Sequence, residues 1–136
     1  MIPWRRSIPL RTPSSEEASA AARRAVAELI AALRGAPGID DVLDRRVRLT
    51  VDSGGAASLP SGIVTGRVPV RNALRDLLAR FAEPQSSAAE VNGAPGVVIR
   101  SRGRVVAVLG ARPRRGRIGE LWAVVNPDKL GHWDSR

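Results

Sequence analysis

The 136-residue chain has no cysteine, one lysine (Lys129) and one histidine (His132). Without cysteine it can form no disulfide, no thiol nucleophile and no zinc–thiolate site. Because metal ligands do not cluster in the sequence either, we expect no metal and no cofactor. No apolar run approaches the roughly 20 residues that cross a bilayer, and prolines interrupt the N-terminal residues where a signal peptide would be apolar. We therefore expect a cytoplasmic protein without membrane contact.

The composition is that of a globular protein, with 43% hydrophobic and 26% charged residues. Its length suits one domain. We expect a disordered Pro- and Arg-rich lead-in over residues 1–12, a domain over 13–131 and a short tail over 132–136. The formal net charge of +9 favours anionic partners, although a coding bias toward arginine explains the same charge.

Helical patterns occupy the first two thirds of the chain. Ser14 and Glu17 have the spacing of a capping box, and apolar residues recur at helical spacing over 22–33. A single helical turn is expected near 39–43. The strongest helix pattern covers 70–81, where apolar residues follow the i, i+3, i+4, i+7 spacing.

Strand patterns occur at two places between the predicted helices and dominate the last third. Residues 46–52 alternate strictly between apolar and polar side chains, which predicts a half-buried strand, and 62–65 is a second short strand. Glycine-containing turns separate the later strands, as in an antiparallel meander. These later strands are predicted at 88–92, 97–100, 104–111 and 117–125. Helices followed by a meander predict an α+β fold.

Two motifs carry a family resemblance. Residues 49–55 (Leu-Thr-Val-Asp-Ser-Gly-Gly) resemble the aspartate-and-glycine motif of SnoaL-like domains at the C-terminus of extracytoplasmic-function sigma factors. Residues 126–130 (Asn-Pro-Asp-Lys-Leu), reached from 91–98 through the meander, resemble the ending of the same domains. The similarity covers 14–131. It implies a cone-shaped roll in which helices pack on a curved, mostly antiparallel sheet.

The resemblance also implies a role. In these sigma factors the domain is thought to contact the two DNA-binding sigma regions, and domains of this fold often form homodimers through the open sheet. We therefore expect a stand-alone regulatory domain that docks on sigma-factor regions or RNA polymerase, or that holds a small apolar ligand. The residues implied in partner contact are Asp52, Gly54, Gly55, Asn126, Pro127, Asp128, Lys129 and Leu130.

The sequence departs from the family pattern within the first motif. Ser53 replaces a glycine, and Ala56 stands where a basic residue is usual, so the contact made by that basic side chain is not expected here. Simpler roles also fit the motif residues. Asp52 can shape the turn by accepting backbone hydrogen bonds, glycines permit a positive φ, and Leu130 can plug the core.

An alternative function is a small-molecule isomerase, cyclase or hydrolase, as in enzymatic SnoaL relatives. The candidate acid/base residues are Glu120, Asp52 and Glu90. Glu120 alternates with Ile118, Trp122 and Val124, so we expect it within an otherwise apolar face. Asn92 and Trp122 are the candidate pocket residues, although for Trp122 we favour core packing over a pocket position.

Four arginines cluster in the turn before the last strand and can contact phosphates. No aromatic residue interleaves with them in sequence to stack bases, and no helix-turn-helix or zinc pattern is present. We therefore interpret this cluster as a solvated basic turn and do not expect direct nucleic-acid binding. The four residues are Arg112, Arg114, Arg115 and Arg117.

Overall fold

The computed structural model describes residues 15–54, 62–125 and 130. Ser14, the lead-in 1–12 and the tail 132–136 lie outside these residues, so the domain boundaries stay predictions. The elements, in chain order, are α1 (Ser15–Leu33), α2 (Ile39–Val42), β1 (Leu43–Asp52), β2 (Gly62–Thr65), α3 (Arg67–Ala79), β3 (Gln85–Val91), β4 (Ala94–Ser101), β5 (Arg104–Arg114) and β6 (Arg117–Val124).

The six strands form one curved, open sheet in the order β2-β1-β6-β5-β4-β3. Strands β3 to β6 make the expected antiparallel meander, and β2 pairs antiparallel with β1. Strand β1 pairs in parallel with β6, which joins the first half of the described chain to the last strand. The predicted α+β fold, with helices on a curved and mostly antiparallel sheet, is confirmed.

Each hairpin of the meander turns on one non-glycine residue followed by glycine. Both residues have a positive φ, between 50° and 80°, at all three turns. This is the backbone of the turn whose twist matches that of the flanking strands. The pairs are Asn92-Gly93, Arg102-Gly103 and Arg115-Gly116. Because the first turn takes only two residues, Pro95 lies inside β4, opposite Glu90.

The main core lies between the helices and one face of the sheet, which we call the helix face. The apolar stripe predicted for α1 is confirmed, with Val26 and Leu29 almost fully buried. From α3, Val70, Leu74 and Leu77 are buried against the same face. Beneath them lie the apolar positions of the strands, such as Val47, Leu49, Val97, Leu109 and Ala123.

A smaller apolar cluster lies on the opposite side of the sheet, which we call the outer face. Val98 pairs with Val108, and Val108 pairs with Val124. Each of these residues is next in sequence to a residue on the helix face, so its own side chain points to the outer face. Leu130 is 4% exposed and packs with Val98 and Val108. Leu130 therefore plugs a core, as expected, but that core is on the outer face rather than under the helices.

Candidate functional site

A bulge at Gly119 sets the orientation of the last strand. Arg112 pairs with Glu120 and Pro113 with Ile118, so Gly119 has no partner on β5. An extra residue of this kind shifts the alternation of side chains by one position. Ile118 and Leu121 are consequently both buried on the helix face. The expectation that Glu120 shares an apolar face with Ile118 is wrong: Glu120 is half-buried on the outer face.

Glu120 lies in a row of charged residues that crosses three strands. It pairs with Arg48 on β1 and with Arg112 on β5. Together with their neighbours these residues line an open depression of about 370 Å³, which we call the basic groove. Its lining residues are Arg46, Arg48, Arg112, Pro113, Arg114, Gly119 and Glu120.

Two small contacts shape this groove. Gly119 leaves room for the Arg114 side chain, because a Cβ built on Gly119 would lie 2.7 Å from the Arg114 Cβ. The guanidinium carbon of Arg112 lies 5.3 Å from the centroid of the Trp122 ring, within the range of a cation–π interaction. Trp122 is 36% exposed, so it borders the groove with an accessible aromatic surface.

A second depression continues the basic groove past the β5–β6 turn. It shares Arg46 and Arg114 and adds Asp44, Arg45 and Arg115. The backbone N–H of Arg46 donates to Asp44 Oδ2 at 2.9 Å. This hydrogen bond, helped by nearby arginines such as Arg114, holds the pKa of Asp44 below its usual value. Asp44 is therefore charged at neutral pH, and with Glu120 it is the acidic part of a surface that carries many arginines.

The groove arginines are not used in ion pairs within the ranges that the structure describes. A salt bridge joins Arg71 and Asp40 at 3.0 Å, but it lies on the helical side of the molecule. The groove arginines are Arg46, Arg48, Arg112 and Arg114, and none of them forms an ion pair with another residue of the described ranges. Their positive charge is thus available to a binding partner.

The first family motif forms a turn at the end of β1. The backbone N–H of Gly54 donates to Asp52 Oδ1 at 3.0 Å, which is the turn-shaping role considered from the sequence. Gly54 has a φ of 66°, as its residue type allows. Ser53 is 2% exposed, and its hydroxyl makes no hydrogen bond to any residue in the described part of the chain. Gly55, Asn126, Pro127, Asp128 and Lys129 lie outside the described residues.

The carboxyl ends of β1 and β6 lie side by side in the sheet. Asp52 and Val124 are partners in the parallel ladder, and the backbone N–H of Val125 donates to the Asp52 carbonyl at 2.8 Å. Because parallel strands end on the same side of a sheet, Ser53 and Gly54 follow β1 beside the end of β6. Among the contact residues implied by the resemblance, Leu130 is instead buried.

The three candidate catalytic carboxylates are not brought together. Asp52 lies four positions along β1 from Arg48, the partner of Glu120, which is about 13 Å of strand. Glu90 is exposed on β3, at the far edge of the sheet. Asn92 is exposed in a hairpin turn. Trp122 lies on the outer face, so the core position considered for it is wrong.

The sequence identified the arginines near the β5–β6 turn but missed Arg46 and Arg48 as part of the same surface. Alternation had placed both on the polar side of β1. Only the parallel pairing of β1 with β6 brings them opposite Arg112 and Arg114. That pairing leaves no local signal, because the two strands are far apart in the chain.

Within the described part of the chain, no three His, Asp or Glu side chains lie close enough to hold a metal ion. None of the helices described is long and apolar enough to pass through a lipid bilayer.

Helices on one face of a curved open sheet, with the first strand parallel to the last, define a SnoaL-like α+β fold. The extracytoplasmic-function sigma factor SigJ of Mycobacterium tuberculosis resembles this chain at 27% identity, with a TM-score of 0.62, over 80% of this chain. The match covers 44% of the sigma factor, so this chain spans less than half the length of that protein.

Two further solved structures share the fold alone. A SnoaL-like protein of Burkholderia thailandensis is 17% identical, with a TM-score of 0.53, over 82% of this chain and 97% of that one. A de novo designed protein with a curved β-sheet is 21% identical, with a TM-score of 0.58, over 90% and 95% of the two chains. No protein-family model and no curated protein matches the sequence.

Proposed function

We propose that this chain is a non-catalytic docking domain that binds a protein of the transcription machinery, either sigma-factor regions or RNA polymerase. The similarity to the sigma factor SigJ, at 27% identity over 80% of this chain, is the observation that carries the proposal. The resemblance of residues 49–55 and 126–130 to the sigma-factor domains adds to it. The domain then acts in the cytoplasm, beside its partner.

The arrangement of the carboxylates supports binding over catalysis. General acid–base chemistry needs its groups within hydrogen-bonding reach of one substrate. Asp52, Glu90 and Glu120 lie on three different strands and not in one site. Asp52 already accepts the Gly54 N–H, which is a turn contact rather than a catalytic one.

The shared edge of β1 and β6 is the proposed contact surface. Asp52 and Gly54 lie there, and the backbone N–H of Val125, the last described residue before the second motif, donates to the Asp52 carbonyl at the same place. Asp52 and Val125, which are far apart in sequence, are thus neighbours at this edge. This supports the view that the resemblance in both motifs reflects one shared contact.

In-cell cross-linking tests the proposal. The tagged domain is expressed in its native host, cross-linked, purified and analysed by mass spectrometry. We expect RNA polymerase subunits or a sigma factor to be enriched. Asp52→Ala should reduce that enrichment, whereas Asp76→Ala, at an exposed position on α3, should not. Circular dichroism establishes that both variants fold.

The proposal fails if cross-linked wild-type domain recovers no transcription protein above an untagged control. It also fails if a purified domain turns over a small-molecule substrate and loses that activity on replacement of Glu120, because the alternative enzymatic function would then be the correct one.

A further inference from the structure

We infer that the basic groove binds an extended, acidic segment of a protein partner. The inference rests on the proposed docking function and specifies the chemistry of one contact. It concerns the outer face around Arg48 and Arg112, a surface separate from the edge at Asp52 and Gly54.

The groove presents its positive charge as two columns. Arg46 and Arg48 are two residues apart on β1, and Arg112 and Arg114 are two residues apart on β5. Strand β6 separates the columns, so they stand about 10 Å apart, twice the spacing between neighbouring strands. Within each column the repeat is about 7 Å, that of alternate residues in an extended chain.

An extended acidic segment has matching dimensions. Its side chains point alternately to the left and right, with about 7 Å between those on one side. Lying along β6, such a segment places carboxylates beside Arg48 on one side and Arg112 on the other. The guanidinium group is suited to this contact because its planar fork binds a carboxylate through two parallel hydrogen bonds.

Glu120 favours a peptide over a nucleic acid in this groove. Its carboxylate lies between Arg48 and Arg112 on the middle strand, where it repels any anionic group placed directly over β6, phosphate or carboxylate. A phosphodiester backbone offers it no hydrogen-bond donor, whereas a peptide offers one N–H per residue. Trp122 at the border of the groove adds an accessible aromatic surface, a residue type enriched where proteins bind one another.

Peptide binding measured by fluorescence anisotropy tests the inference on the full chain. The probe is a labelled peptide of about eight glutamates, long enough to span the groove in extended form, with an equally long glutamine peptide as its control. R48Q/R112Q removes one arginine from each column. R24Q/R75Q removes two exposed arginines of α1 and α3, so both variants lower the formal charge by the same amount.

We expect the glutamate peptide to bind the wild-type chain and R24Q/R75Q within about threefold of each other, and R48Q/R112Q about tenfold or more weakly. The glutamine peptide should not bind. Circular dichroism checks folding; R46Q/R114Q takes the place of R48Q/R112Q if the latter is unfolded.

Three results would overturn the inference: no binding of the glutamate peptide, an equal loss in both double variants, or tighter groove-dependent binding of an oligothymidine of similar charge. An equal loss means that net charge alone attracts the peptide. The oligothymidine result makes nucleic acid the occupant. If the glutamate peptide does not bind but the wild-type domain still recovers a transcription protein after cross-linking, the inference about the groove is wrong and the proposed docking function is still supported.

Discussion

The guanidinium carbon of Arg112 lies 5.3 Å from the centroid of the Trp122 ring, in a diagonal contact with the residue two positions beyond its ladder partner Glu120. A partly exposed cation–π contact of this kind contributes about 0.5–1 kcal/mol. We predict that a double-mutant cycle of Arg112→Ala and Trp122→Leu gives a coupling energy of about that size in urea unfolding. Arg104→Ala, at the exposed start of β5, should show no coupling to Trp122→Leu. Equal coupling in both cycles would contradict the contact.

Two paired glycines on the outer face should respond differently to the same substitution. A Cβ on Gly96 would lie 2.5 Å from the Leu109 carbonyl oxygen, whereas a Cβ on Gly110 would lie 3.6 Å from Trp122 Cε3. Because the first neighbour is backbone and cannot move aside easily, Gly96→Ala should cost about 2–3 kcal/mol of unfolding free energy. Gly110→Ala should cost less than about 1 kcal/mol. Similar losses, measured by urea unfolding, would show that the close approach at Gly96 is wrong.

Leu130 is buried against Val98 and Val108 on the outer face, so we expect its side chain to stabilise the folded domain. Leu130→Ala should lower the unfolding free energy by about 2–4 kcal/mol. Val68→Ala, at a side chain that is 52% exposed, serves as the control and should change it by less than about 0.5 kcal/mol. If Leu130→Ala leaves stability unchanged but weakens partner binding, Leu130 is a contact residue, as the family resemblance implied.

The hairpin turn at Arg102-Gly103 offers a stabilising substitution. Arg102 has a φ of 53°, a conformation that asparagine tolerates better than other non-glycine residues. Arg102→Asn should therefore raise the unfolding free energy by about 0.5–1 kcal/mol, which thermal denaturation can measure. Arg102→Lys keeps the charge and the backbone cost, so it should give no gain. A gain with lysine would assign the effect to side-chain contacts instead of the turn.

Local patterns were enough to predict much of this fold. Each successful prediction used a pattern that extends over only a few residues. These patterns are the apolar spacing in α1 and α3, the alternation around Val47 and Leu49, and the glycines of the hairpin turns, and the structure agrees with all of them. The fold class and the resemblance followed from the order of these elements and from two short motifs.

The basic groove could not be predicted in the same way. From the alternation of side chains we expected Glu120 and Ile118 on one face of the sheet. The bulge at Gly119 shifts that alternation, so the two side chains lie on opposite faces. The parallel pairing of β1 with β6 then brings Arg48 beside Glu120 across about seventy residues of chain. Both features depend on tertiary packing, which a local sequence pattern does not record.

The central claim is that this domain docks on transcription proteins, and binding to purified host components tests it most directly. The domain is immobilised and titrated by surface plasmon resonance with RNA polymerase and with the separate sigma regions. We predict saturable binding to at least one of them, with a dissociation constant on the order of micromolar or tighter. Absence of saturable binding to every one of these proteins, by a domain shown to be folded, would contradict the account.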